Sequence, residues 1–131
     1  MGNYIVSELV KTMIKKRIQI DGAKVLIMGL TFKENCPDLR NTKVIDVVNE
    51  LISYNINVTD PLCDPENTKK EYDLDLIKEP KSNEYDAVIL AVAHDAFREL
   101  DVESIRQYGK VKHILYDLKY MLEKKLTDIC F

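Results

Sequence analysis

The sequence predicts an α/β protein, an open parallel sheet covered by helices on both faces in a three-layer α/β/α arrangement. Two observations carry this. Val25-Leu26-Ile27-Met28 and Ala87-Val88-Ile89-Leu90-Ala91-Val92 are short runs without a polar residue, the pattern of strands buried on both faces. Between them lie segments with apolar residues at helical spacing, so strand and helix alternate, which favours parallel strands joined by right-handed crossovers.

The elements follow in order. Tyr4, Ile5, Leu9, Thr12, Met13 and Ile20 share one helical face, broadened by Val6, Val10 and Ile14, while Glu8, Lys11, Lys15, Lys16 and Arg17 are polar. A chain that opens inside such a helix reads as a piece of a longer one, so residues 1–20 are assigned to the end of a long helix and 21–131 to the domain proper. Asp21-Gly22 marks a turn. Lys24 to Met28 is a strand, and Thr42 to Tyr54 a helix capped by Asn41 or Thr42, with Val44, Ile45, Val48, Leu51 and Ile52 at helical spacing. Ile56 to Thr59 is the second strand, ended by Asp60-Pro61. Residues 62–80 are polar and weakly patterned, apart from an apolar Leu74–Ile77 piece suited to an edge strand. After the Ala87–Val92 strand come two short helices, Ala96 to Leu100 and Val102 to Tyr108, and a last strand, His113 to Asp117.

Composition narrows the function classes. A net charge of −3 over 131 residues gives no electrostatic reason to expect nucleic acid or acidic membrane as a partner. No apolar run is long enough to span a bilayer and the amino terminus is not a signal peptide, which points to the cytoplasm. The three cysteines, Cys36, Cys63 and Cys130, have no metal-ligand spacing and are expected to be reduced thiols, with no metal site.

The most informative stretch is residues 29–43, Gly-Leu-Thr-Phe-Lys-Glu-Asn-Cys-Pro-Asp-Leu-Arg-Asn-Thr-Lys. It joins a strand to a helix at the carboxyl end of a parallel sheet, where ligands bind and where helix N–H groups favour anions. It is not a dinucleotide fingerprint, because no second or third glycine follows Gly29. Lys33 and Arg40 flank Asp38; the three form either a surface ion pair or a phosphate site with a point charge, a forked donor and an orienting acid, and the location favours the second. Cys36, with no nearby histidine, is read as a packed thiol. Asp60, at the tip of the second strand, suits either the acid that holds a ribose in such folds or a turn before Pro61. His94 follows the strongest strand, placed to hydrogen-bond a ligand or cap the next helix. Asp117 and Lys119 form a further charged tip, with Lys119 a third cation for the same anion.

At these residues the chain resembles the carboxyl-terminal, UDP-binding domain of the UDP-glucose/GDP-mannose dehydrogenase family. Met1-Gly2-Asn3-Tyr4 is similar to the end of the family's central helix, Gly29-Leu30-Thr31-Phe32-Lys33 with Asp38 and Arg40 to its main motif, Asp60-Pro61 to its second strand tip and Asp117-Leu118-Lys119 to its last. The wording from Lys33 to Asp46 resembles the bacterial and archaeal branch that oxidises UDP-N-acetylhexosamines for surface polysaccharides. The resemblance implies a Rossmann-like fold and an enzyme that oxidises the primary alcohol of a nucleotide sugar to a carboxylate with two NAD molecules. It implies Phe32, Lys33, Lys119 and His94 on the side of the UDP-sugar and Arg40 with Asp38 on the side of NAD. A homodimer or higher oligomer through the central helix is implied too. The family's glycine-rich NAD domain and catalytic cysteine have no counterpart in these 131 residues, so this piece alone is expected to be inactive. Cys130 stands where the family has an arginine. A free-standing nucleotide-binding regulator and a structural module are the alternatives; a receiver domain is disfavoured because Gly29 and Leu30 occupy a tip that would need acids.

Overall fold

A computed structural model of the chain describes residues 2–31, 35, 44–51, 54–119 and 121–130. The elements are helix α1 (Gly2–Lys15), strand β1 (Lys24–Met28), helix α2 (Val44–Glu50), strand β2 (Asn55–Thr59), helix α3 (Pro65–Tyr72), strand β3 (Tyr85–Leu90), helices α4 (Asp95–Arg98) and α5 (Val102–Arg106), strand β4 (Gly109–Asp117) and strand β5 (Ile129–Cys130). The five strands pair in the order β2-β1-β3-β4-β5, every pair parallel. Chain direction across the sheet reverses between β1 and β3, so the crevice of this fold class opens at their carboxyl ends.

Two apolar layers flank the sheet. Ile5, Leu9 and Met13 of α1 and Val44, Val47 and Val48 of α2 pack on Val25, Ile27, Ala87, Ile89 and Ile114. On the other face Phe97 of α4 and Ile105 of α5 pack on Leu26, Met28, Val88, Leu90 and Leu115. The alternation of β1 and β3 residues between the layers is the period of two expected of strands, here with both faces covered, which is why β3 is buried along its whole length.

The i, i+4 stripe of α1 is narrower than its sequence implies: Ile5, Leu9 and Met13 are buried, while Tyr4 and Ile14 are 58% and 62% exposed. The helix also stops before Ile20. Arg17 adopts a left-handed φ of 59°, its N–H bonds to the Ile14 carbonyl at 3.1 Å and the Ile18 N–H reaches the Met13 carbonyl at 2.9 Å. These are the paired bonds of a Schellman ending, with Ile18 tucked against Met13.

Three further elements differ from the sequence reading. Residues 62–80 contain α3, started by Asp64 accepting from the Glu66 N–H with Pro65 in the first turn, and ended by left-handed Asp73; its low apolar content hid it. Leu74–Ile77 contributes one parallel bridge, Val58 to Leu76, rather than a strand. β4 starts at Gly109, because residues 110–113 bulge between the Tyr85–Gly109 and Ala87–Ile114 pairs; a Cβ on Gly109 would lie 2.3 Å from the His113 ring. His113 is half-buried; it accepts from Arg106 at 3.0 Å and donates to the Lys110 carbonyl at 2.6 Å. The expected start of α2 at Thr42 lies outside the described residues.

β5 was not legible in the sequence and is held by one carboxylate. Asp128 accepts from the Leu115 N–H at 2.8 Å and from Arg106 at 3.2 Å, and pairs with Lys16 just beyond α1. Burial pushes its carboxyl up, but Lys16, the Leu115 amide and Arg106 outweigh that and hold it below the ordinary 3.8. The stability it contributes is therefore present above 3.8 and is lost as pH falls through its lower folded value. Asp128→Asn should cost about 1–3 kcal/mol at neutral pH and flatten the loss of stability in acid, read from urea midpoints between neutrality and the acid limb; parallel acid limbs in both proteins would refute this assignment.

Candidate functional site

Three strand ends are laced together at the crevice. The Gly29 N–H bonds to the Thr59 carbonyl at 2.8 Å and the Ala91 N–H to the Met28 carbonyl at 2.9 Å, while the Leu118 N–H extends the edge to β4 through the Leu90 carbonyl at 3.0 Å. Gly29 has a φ of 104°, and a Cβ there would meet Val92 at 2.7 Å and the Val92 nitrogen at 2.9 Å. Both the conformation and the close approach of the two strand tips demand glycine.

Asp60 is the centre of this edge. It is 6% exposed; its Oδ2 accepts from the Leu30 and Thr31 amides at 2.7 and 3.2 Å and from His94 Nε2 at 2.9 Å, and its Oδ1 accepts from the Leu62 amide at 2.8 Å. The ribose reading of Asp60 is thereby corrected: its oxygens are taken by β1's tip, β3's tip and its own turn. The Leu62 bond is the turn that Asp-Pro suggested.

His94 is 1% exposed and lies against Phe97, ring centroids 5.5 Å apart. Its Nδ1 accepts from the Asn35 N–H at 2.9 Å, which leaves the proton on Nε2, facing Asp60, with Thr31 Oγ1 3.1 Å from the same nitrogen. Both ring nitrogens thus serve protein groups. His94 does not cap α4 with its side chain; Asn35 does, its Oδ1 accepting from the Asp95 N–H at 2.9 Å.

Asp117 and Lys119 separate. Asp117 is fully buried, accepting from the Lys119 and Leu122 amides at 3.0 and 2.9 Å, so the expected charged tip is half turn-former; Lys119 remains exposed at the carboxyl end of β4. Phe32, Lys33, Asp38 and Arg40 lie outside the described residues, as does Cys36; Thr31 and Asn35 within the same loop are described. Asn35 was missed by sequence reasoning, although asparagine is the residue that best tolerates its left-handed φ of 57°.

A cavity of about 610 Å³ opens beside this edge, with Asp60, Cys63 and Phe97 in its wall. Cys63 is buried; burial foremost, then the Asp60 charge, pushes its thiol up to about 12. It is a packed thiol at neutral pH, without nucleophilic character.

Residues 26–124 match the model of the UDP-glucose/GDP-mannose dehydrogenase family, UDP binding domain. Over 131 residues the chain is 54% identical to a UDP-N-acetyl-D-glucosamine 6-dehydrogenase from Pseudomonas aeruginosa and 50% identical to the enzyme of that name from Salmonella typhi, in each case covering 98% of this chain and 31% of the relative. The chain thus spans about a third of the length of these curated relatives. In structure it superimposes on a UDP-D-ManNAc dehydrogenase from Pyrococcus horikoshii with a TM-score of 0.76 at 18% identity, covering 94% of this chain and 28% of that one, which bears out the fold.

Gly29→Ala should destabilise the domain by roughly 2–5 kcal/mol, from a strained φ added to an overpacked strand junction; an unchanged urea midpoint would show that the two tips can part freely. Alkylation of Cys63 by iodoacetamide at mildly alkaline pH, followed on its own peptide by mass spectrometry, should run about tenfold or more slower in the folded protein than in urea. Equal rates would contradict a buried, protonated thiol.

Proposed function

The chain belongs to the UDP-glucose/GDP-mannose dehydrogenase family as its UDP-binding domain, and from that premise we propose that it holds the nucleotide handle of a UDP-N-acetylhexosamine while a longer polypeptide oxidises the sugar's primary alcohol to a carboxylate. The observation that carries this reading is the 54% identity, over 98% of the chain, to a relative named for UDP-N-acetyl-D-glucosamine oxidation. UDP-N-acetylglucosamine is therefore the first substrate to try.

In this reading Phe32 and Lys33 on the β1–α2 loop address the nucleotide sugar and Lys119 its diphosphate. β4 lies two strands from β1, about 10 Å at ordinary strand spacing, a separation that a diphosphate and its sugar can bridge. Binding energy from the unreactive nucleotide then positions the distant alcohol for reaction elsewhere in the protein.

NAD is the implied hydride acceptor, and the described residues do not build a dinucleotide site of their own. The Leu30 and Thr31 amides, which stand where such folds present N–H groups to a pyrophosphate, are consumed by Asp60. The cofactor would be held mainly by a separate amino-terminal domain, with Arg40, oriented by Asp38, reaching it across the cleft. We place the enzyme in the cytoplasm, as an oligomer paired through α1; the exposed Tyr4 and Ile14 supply apolar surface for that contact. Among the described residues no helix is long and apolar enough to cross a membrane.

The test is steady-state kinetics on the intact enzyme, following NADH with UDP-N-acetylglucosamine. Lys33→Ala and Lys119→Ala should raise KM for the UDP-sugar about tenfold or more, as expected for lost charge-assisted contacts of roughly 1.5–3 kcal/mol, while Arg40→Ala should raise KM for NAD more than that for the sugar. Arg40→Lys should rescue only in part, because the forked donor is gone. The 131-residue domain alone should produce no NADH. Substitutions that lower stability and leave both Michaelis constants intact would make the loop a surface ion pair.

A further inference from the structure

We propose that His94 is a positioning residue for the nucleotide-sugar segment: held by Asp60 as the Nε2–H tautomer, it offers its Nδ1 lone pair to the Asn35 amide and fixes the backbone at Asn35, which lies between Lys33 and Arg40 in the sequence. The proposal rests on the reading that this segment binds the UDP-sugar, and it gives a task to a buried histidine whose two ring nitrogens both serve protein groups.

The two cations proposed to bind ligand, Lys33 and Arg40, are long side chains, and such a side chain places its charge only as well as the backbone that carries it is fixed. Asn35 is fixed twice, by consecutive residues of one segment: its N–H donates to His94 Nδ1 and its Oδ1 accepts from the Asp95 N–H, both at 2.9 Å. The side-chain bond also satisfies one of the amides at the start of α4. Asn35 itself is exposed, so it is held by these bonds and not by packing.

The histidine can act this way because its tautomer is determined. Asp60 accepts the Nε2 proton at 2.9 Å and is itself anchored by the Leu30, Thr31 and Leu62 amides. The carboxylate cannot swing away and the ring cannot flip without abandoning a charged acceptor in a buried site. A line of contacts thus runs from β2's tip through the ring to Asn35. Asn35 lies two residues beyond Lys33 and five before Arg40 in the sequence.

Two isosteric substitutions divide the histidine's bonds. His94→Gln can still donate to Asp60 but has no acceptor where Nδ1 stood; His94→Asn places its Oδ1 near that point and loses the Asp60 contact. In the intact enzyme His94→Gln should raise KM for UDP-N-acetylglucosamine about tenfold with a smaller change in kcat, His94→Asn should recover most of that loss, and the Lys33→Ala and His94→Gln effects should fall well short of additive in the double variant. Because the ring is buried, Asn35→Gly serves as a second arm. It keeps the positive φ and the amide, removes the bond to Asp95 and leaves the buried pair untouched, so KM should rise severalfold with little change in thermal midpoint. If Lys33→Ala raises KM but folded His94→Gln and Asn35→Gly do not, the positioning role is overturned and the loop's binding role stands. If Lys33→Ala is itself without effect, the loop reading fails and this proposal with it.

Discussion

A buried carboxylate must be surrounded by donors, and the carboxyl edge of this sheet is organised by meeting that demand at Asp60. With one edge of the carboxylate facing the amides after β1 and another its own turn, any relative movement of β1, β2 and β3 would strand a charge in an apolar environment. Leaving such a buried carboxylate short of a donor costs about 1–3 kcal/mol or more, a sizeable share of the stability of a domain this size. The glycine at β1's tip, the close contact with Val92 and the buried ring of His94 all follow from bringing three strand ends around one pair of oxygens.

The same constraint decides what kind of binding surface this can be. In dinucleotide folds the first loop keeps its amides free for a pyrophosphate; here those of Leu30 and Thr31 belong to Asp60. In the proposed reading, anion recognition falls instead to side chains, those of Lys33, Arg40 and Lys119. The fold is retained while its usual ligand-binding device is spent on structure.

A second carboxylate plays the corresponding part where the chain enters and leaves. Asp128 joins Lys16 beyond α1 to Arg106, the last residue of α5, and to the backbone of β4. α1 is therefore tied to the sheet by charge at one end as well as by its apolar stripe. An ending built on left-handed Arg17 turns the chain sharply enough to make that tie.

Much of this was legible from local pattern. The apolar runs at Val25 and Ala87, the helical spacing after Val44 and the loop at Gly29 determine strand, helix and ligand edge through interactions within a few residues, and that wording also identifies the family. α3 was legible in Asp64-Pro65-Glu66 but masked by its polar composition. What the tertiary structure alone decided is partnership. His94 meets Asp60 and Asn35 across 34 and 59 residues, and Lys16 meets Asp128 across 112; such pairs exist only once the strand order β2-β1-β3-β4-β5 is set. The sequence by itself therefore marked Asp60 and His94 as edge residues open to a ligand. Strand order, which depends on packing summed over the whole chain, turned them toward each other and gave them to the loop.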